Sequence, residues 1–361
     1  MSPTPPIFWH GLRGWRDPPV RAVTGKGLTR PVRQDGFDGD PATLDPWRAA
    51  LACDGDLVFA VLVATHGPAY RNPGATMVID PQGRYAGAIT SGCIESDIVL
   101  RAAQVRADGQ SLHLRYGAGS PYMDLRLPCG GAIEVLLFRS RDRQTLRALQ
   151  TAREARQPVA LRIHRHGDLA LSDWQPSAFG QTQIVLGFRP EISFAIFGTG
   201  AEATVFARLV NGMGYAHTLF SHDQRAVQAA QRHGSAAQLL SRPVDYRLAQ
   251  ADRDTAVVLM YHDHDYEPEI IRSALATPAF YIGAQGSRAT QAARLARLSA
   301  QGVPDDQLAR IRGPIGLIPS SRDPKSLAIS VLAEVLNVHS SQSTPLPHPT
   351  TSLPPATLPR A

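Results

Sequence analysis

The segment Gly198-Thr-Gly200-Ala-Glu-Ala203 lies between an apolar run, Ile192 to Phe197, and a helical stretch, Thr204 to Val210. A G-x-G-x-x-A turn in that setting leaves the chain few options. The first glycine permits a tight strand-to-helix turn and the second lets a pyrophosphate approach the backbone. The small third residue lets the helix pack on the strand. Asp223 follows 25 residues after Gly198, just past a second expected strand, Ala216 to Phe220, where a carboxylate can bind a ribose hydroxyl. Further strand-like runs, Ala256 to Met260 and Ala279 to Ile282, alternate with helical stretches. This is the rhythm of a doubly wound parallel sheet of the Rossmann type.

In such a sheet the ligand cleft lies at the carboxyl ends of the strands. That places the Gly198 loop, His222-Asp223, His262-Asp-His264-Asp265 and Gly283-Ala-Gln-Gly-Ser287-Arg288 along one cleft. His262 and His264 invite a metal reading, but no third ligand is identifiable. Polar residues at strand ends more often contact a ligand or cap a helix.

The first half reads as α+β or α/β. Apolar strands are expected at Leu57 to Ala64, Thr76 to Ile79, Leu112 to Tyr116 and Ile133 to Phe138. Residues 94, 98, 102 and 105 are apolar at helical spacing, and Asp108-Gly109 ends that helix. A second helix is expected over Thr145 to Ala155, and a closing hairpin over Val159 to Ile163 and Leu169 to Leu171. The domains expected are an irregular extension (1–45), a cysteine-containing domain (46–190), the Rossmann-like domain (191–339) and a disordered tail (340–361) rich in Ser, Thr and Pro.

Only three cysteines occur in 361 residues, too few for a disulfide framework. Two sit in glycine-flanked turns, Ser91-Gly-Cys93-Ile-Glu95 and Pro128-Cys-Gly-Gly131. Cys93 stands where a helix begins, so the positive end of the helix dipole and free backbone N–H groups face an anion there. Gly92 lets a large ligand come close. Two such thiols could bind a soft ligand such as molybdenum or sulfide, or carry sulfur; the alternative is that both are small core residues. Cys53, with no comparable context, reads as structural.

A hydrophobic content of 43% and a charged content of 19% fit a soluble globular protein. The net charge of +6 comes from scattered arginines rather than an aromatic-rich basic stripe. It suits a phosphorylated small ligand better than a nucleic acid. No apolar run approaches the roughly 18 residues of a membrane helix. Met1 to His10 lacks the charged-then-apolar pattern of a secretory signal, so the cytoplasm is the expected compartment.

These residues together resemble the XdhC/CoxI family, the accessory proteins that mature xanthine and carbon monoxide dehydrogenases. The likeness spans about residues 46 to 338, with separate motifs in the family's order. It rests on Gly67-Pro-Ala-Tyr-Arg71-Asn-Pro-Gly74-Ala75-Thr-Met77, Gly87-Ala-Ile-Thr-Ser-Gly-Cys93-Ile-Glu95 and Cys129-Gly-Gly131. It continues through Gly198-Thr-Gly200, Met260-Tyr-His-Asp-His264, Tyr281-Ile-Gly-Ala-Gln-Gly-Ser-Arg288, Pro314-Ile-Gly-Leu317 and Ser326 to Glu334.

The resemblance implies binding and protection of the molybdenum cofactor, with help in its sulfuration and insertion into an apo-enzyme of the xanthine dehydrogenase type. It implies a homodimer that meets a cysteine desulfurase and the target oxidase. Carried over residue by residue, it marks Cys93 and Cys129 as the reactive positions, Cys93 also touching the metal. It marks Arg71, Gly74, Ser91, Gly92, Glu95, Gly130 and Gly131 as cofactor contacts. In the second half it adds Gly198, Gly200, Asp223, His262, His264, Gly283, Ser287 and Arg288, which could hold a nucleotide or the phosphate end of the cofactor. Two departures stand out: Pro68 replaces the family's serine, and Ser91-Gly92 its paired glycines. They leave open whether the cofactor is plain molybdopterin or its cytosine dinucleotide.

Two other classes compete with an accessory chaperone: an NAD(P)-dependent oxidoreductase, and a regulatory nucleotide-binding module. Against the oxidoreductase, the chain has no Tyr-x-x-x-Lys pair, and Lys325 is the one lysine of the second half.

Overall fold

The structure, a computed structural model, describes residues 37, 40–118, 120, 130–240 and 251–342. Most of the expected extension, Cys129 and the chain beyond Gln342 lie outside them. Two compact units emerge. One holds residues 32–193 with 252–255 and the chain from Glu334; the other holds 194–251 and 256–333.

The first unit runs α1 (Pro46–Leu51), β1 (Leu57–His66), β2 (Thr76–Ile79), β3 (Tyr85–Gly87), α2 (Glu95–Asp108), β4 (Leu112–Gly117), β5 (Ala132–Ser140) and α3 (Arg143–Glu154). It closes with β6 (Val159–His164), β7 (Leu169–Asp173), β8 (Ala178–Phe179) and β9 (Gln183–Phe188). The first five strands make an antiparallel sheet in the order β3-β2-β1-β5-β4. Its β1 is apolar from Leu57 to Ala64 because both faces are covered there. Val58, Ala60 and Leu62 pack with Val135 and Leu137 against Ile98, Ala102 and Val105 of α2. Phe59 and Val61 pack with Leu136 and Phe138 against Trp47 of α1, Leu146 and Leu149 of α3, and Leu161 and Leu186 of a second sheet. Phe59 stacks between Trp47 (5.2 Å) and Phe138 (5.5 Å). Cys53 is buried in this core.

The hairpin expected near residue 160 is half of a four-stranded sheet, ordered β7-β6-β9-β8. Its β8 and β9 escape a periodicity reading because β8 is two residues long and pairs with β9, and β9 is held by its pairing with β6 rather than by a pattern of its own.

The second unit runs β10 (Ser193–Gly198), α4 (Gly200–Gly212), β11 (Ala216–Ser221), α5 (Gln224–Arg232), β12 (Ala237–Leu239), β13 (Thr255–Met260) and α6 (Glu267–Leu275). β14 (Tyr281–Ala284), α7 (Arg288–Ala300), α8 (Asp305–Leu308), β15 (Ile311–Arg312) and the start of α9 (Pro324–Gln342), whose residues from Glu334 count with the first unit, follow. The strand order β12-β11-β10-β13-β14-β15 reverses direction between β10 and β13. β11 with β12, β13 with β14 and β14 with β15 are parallel. This is the doubly wound arrangement, with its cleft at the β10/β13 switch point. The first helix begins at Gly200, four residues earlier than its apolar pattern suggests, with Gly200 itself in the left-handed region at φ 76°. α9 extends through Ser340 and Ser341 to Gln342, into the stretch read as tail. Among the described residues no helix is long and apolar enough to cross a membrane.

Candidate functional site

Helix α2 fixes where Cys93 lies. At its far end Arg106 donates to the carbonyls of Asp56 (3.2 Å) and Asp80 (2.7 Å), beside the start of β1. The other end, carrying Ser91-Gly92-Cys93, therefore reaches the edge where β1 finishes. In the sheet register, His66 of β1 and Gly117 of β4 both oppose Ala132 of β5. The Gly67–Gly74 loop, the Cys93 turn and Gly130-Gly131 thus share one rim of this unit. Cys129, one residue before Gly130, lies outside the described residues.

The Cys93 turn is braced from within. The Glu95 carboxylate is buried and accepts from the N–H groups of Ile89 (3.2 Å), Thr90 (2.6 Å) and Ile94 (3.2 Å), and from the Thr90 hydroxyl (2.8 Å). The Thr90 hydroxyl oxygen in turn accepts from Cys93 N–H (3.1 Å). Burial alone would raise the Glu95 carboxyl, but these donors outweigh it and hold the group below its usual 4.5. Both Glu95 oxygens are occupied by the turn itself, so its place is behind the turn, not on its open side. Ser91 and Gly92 are exposed and Cys93 half-buried. Gly92 adopts φ 98°, and a Cβ there would meet no atom within 4 Å. That space is open to a ligand.

Across the rim, Arg71 is exposed, and Gly74 anchors its loop by donating to the Leu62 carbonyl (2.7 Å). Gly130 likewise faces open space, at φ 73°. Gly131 serves another purpose, because a Cβ there would collide with the Pro68 carbonyl and crowd that of His66. It lets the β5 entry lie against the Gly67 loop.

In the second unit the glycines also divide. A Cβ on Gly198 would strike the Met260 carbonyl and the Ala203 methyl, so this residue seats β10 and α4 against β13. Gly200 has only Glu202 Oε2 nearby, at 3.4 Å. Glu202 stands in the first turn of α4 and faces His262 Nε2 at 3.3 Å. Asp223 caps α5 through Arg225 N–H (2.8 Å), and Ser287 caps α7 through Thr290 N–H (3.1 Å). Arg288, first residue of α7, is exposed. Gly283 makes room for the Tyr281 ring.

His264 Nδ1 meets Glu267 Oε1 at 3.0 Å, and Glu267 forms a buried pair with Arg294 (2.7 and 3.0 Å). His262 and His264 thus address different carboxylates. Among the described residues no group of three or more His, Cys, Asp or Glu could hold a metal ion.

Sequence reasoning missed two clusters. His222 stacks on Tyr266 (3.9 Å between centroids), with Tyr261 alongside (5.4 Å). Burial lowers the His222 imidazole, against the pull of Asp223 and Asp263. The second cluster surrounds Glu134, an acid inside the apolar run Ile133 to Phe138. That misplaced charge was its visible signal.

The profile of the XdhC and CoxI family matches residues 50–117, and that of the XdhC Rossmann domain matches residues 194–335. The chain is 34% identical over 302 residues to the molybdenum cofactor insertion chaperone PaoD of Escherichia coli, covering 82% of this chain and 89% of that one. The chain belongs to the XdhC and CoxI family. It is also 25% identical over 321 residues to a Bacillus subtilis protein named as a probable xanthine dehydrogenase subunit, covering 80% of this chain and 94% of that one. A Bacillus halodurans crystal structure, described as a xanthine dehydrogenase, shares its fold at a TM-score of 0.66 and 21% identity, over 81% of this chain and 95% of that one. The family profiles cover Cys93 and the whole Rossmann cleft; Cys129 to Gly131 falls between them.

Proposed function

We propose that the protein is an accessory chaperone that binds the molybdenum cofactor, shields it, and hands it to an apo-enzyme of the xanthine dehydrogenase type. The observation that carries this is the Cys93 turn: a soft thiol held by a buried brace, beside a glycine that leaves the approach open. A bulky anionic pterin bearing a soft metal fits such a rim. Cys93 supplies sulfur, Arg71 a positive charge, and Gly92 and Gly130 the space. The likeness to PaoD points the same way.

With only one described cysteine at the rim, the metal brings its remaining ligands with it. Cys129, next to Gly130, is the second thiol in this reading. A homodimer, contact with a cysteine desulfurase, and sulfuration of the cargo before delivery belong to the same proposal. In the Rossmann cleft, Glu202 puts a carboxylate beside the turn where a dinucleotide phosphate would sit.

The test is Cys93→Ser, purified from a molybdenum-replete host beside the wild type, with pterin and molybdenum measured in each. The swap trades a soft ligand for a hard one at nearly constant volume. Wild type should carry cofactor, and the folded variant should carry at least ten-fold less. Equal cofactor in both would remove Cys93 from the site. Wild type should also activate its apo-enzyme in proportion to cofactor delivered and then stop. Sustained nicotinamide turnover without a partner would favour the oxidoreductase instead.

A further inference from the structure

Glu134 is 1% exposed, in a strand whose neighbours Ile133, Val135 and Leu137 are core residues. Burying a carboxylate there costs several kcal/mol unless partners compensate, and a leucine would fill the space without that cost. Three basic side chains surround it. His66 Nε2 lies 2.9 Å from Oε1, Arg115 Nη1 3.3 Å from the same oxygen, and His113 Nε2 3.4 Å from Oε2.

What these partners are attached to gives the cluster its meaning. His66 is the last residue of β1, where the Gly67–Gly74 loop leaves. Arg115 reaches forward from β4, its Nε donating to the Ala118 carbonyl (3.2 Å), where the chain departs towards Cys129. Glu134 itself sits four residues after Gly130, on the strand by which that chain returns. One buried carboxylate therefore ties together three of the chain crossings at the rim.

We propose that Glu134 is a positioning residue for the cofactor rim. By holding His66 and Arg115, it fixes the loops that carry Arg71 and Gly74 on one side and Gly130-Gly131 on the other. The inference rests on reading that rim as the cofactor site. His113 Nε2 and Glu134 Oε2 lack hydrogen-bond geometry to one another, and neither has another partner among the described residues. A glutamine in place of Glu134 could keep the acceptor towards His66 and donate to His113. A leucine could do neither.

The experiment compares Glu134→Leu and Glu134→Gln with wild type by thermal melting, amide hydrogen exchange and bound pterin. The amides to follow are Gly74 and Ala75 in the first loop and Ala118 in the second, which bond to Leu62, Asn72 and Gly131 carbonyls. Glu134→Leu should stay folded while these amides exchange at least ten-fold faster and pterin content falls five-fold or more. Glu134→Gln should recover both to within about two-fold of wild type. A folded Glu134→Leu with wild-type exchange would overturn the inference. So would loosened loops with undiminished pterin.

If Glu134→Leu does not fold, His66→Phe and Arg115→Met take its place. Each should loosen its own loop, and unchanged exchange in both would overturn the inference. Exchange reads positioning even where wild type carries no pterin, an outcome that would refute the chaperone reading alone.

Discussion

Replacing Glu95 tests how the Cys93 turn is built. In Glu95→Ala, three backbone N–H groups and the Thr90 hydroxyl lose their acceptor at a site 3% exposed. A buried donor left unpaired costs about 1–3 kcal/mol, and water can reach some of these past the exposed Ser91 and Gly92. With water satisfying part of the set, the remaining loss is about 3–4 kcal/mol. For a unit of this size that corresponds to a fall in melting temperature of roughly 6–16 °C. Glu95→Gln keeps one carbonyl oxygen but turns an NH2 group towards the remaining donors, and should cost about 1–2 kcal/mol.

The acid limb gives a second readout. The folded carboxyl titrates below 4.5, so its contribution is fully present above that pH and is lost as pH falls through the folded value. Glu95→Gln should therefore lose less stability on acidification than wild type. Urea denaturation followed by circular dichroism between pH 7 and pH 3 measures both effects. A Glu95→Ala protein destabilised by under 1 kcal/mol, or less than Glu95→Gln, would refute the brace. Loss of pterin at unchanged stability would instead make Glu95 a direct contact.

The rim glycines should separate by mechanism. Gly92→Ala adds a methyl to open space and suffers only its φ of 98°, about 1 kcal/mol, whereas Gly131→Ala drives a methyl into the Pro68 carbonyl and should lose about 2–3 kcal/mol in a urea melt. Burial lowers the imidazoles of His113, His217 and His222, opposed by Glu134 at His113, the Tyr215 carbonyl at His217, and Asp223 and Asp263 at His222. The unfolded chain then takes up protons near 6.5 before the folded one does, so melting temperature should decline as pH drops from 6.5 to 5; a flat profile there would contradict their burial.

Legibility differed between the two units for a physical reason. The Rossmann half announces itself because each requirement is local: Gly198 cannot be anything larger beneath the Met260 carbonyl, and β10 and β13 are buried on both faces, so they read as apolar runs over Phe194 to Phe197 and Ala256 to Met260, while β11 is buried as well but carries His217 and Thr218. The first half was legible where one element carried its own pattern, as in α2 with Ile98, Ala102 and Val105 on one side. It was opaque where pairing decided the outcome, as with β9, which joins a sheet through β6 and shows only three buried residues.

The same distinction governs the site. Cys93 could be marked from sequence because its significance is local: glycine before it, helix after it. Glu95 was marked as well, but as a cofactor contact, since nothing in Cys-Ile-Glu tells whether a carboxylate turns outward or folds back onto Thr90. The hub at Glu134 needed distant strands in register, with Ala64 opposite it on one side and Arg115 on the other. Its one trace in the sequence was a charge in an apolar strand. Since a leucine there would be the cheaper residue, that charge marks the position where holding the rim loops outweighs packing, and the Glu134→Leu and Glu134→Gln pair measures that difference.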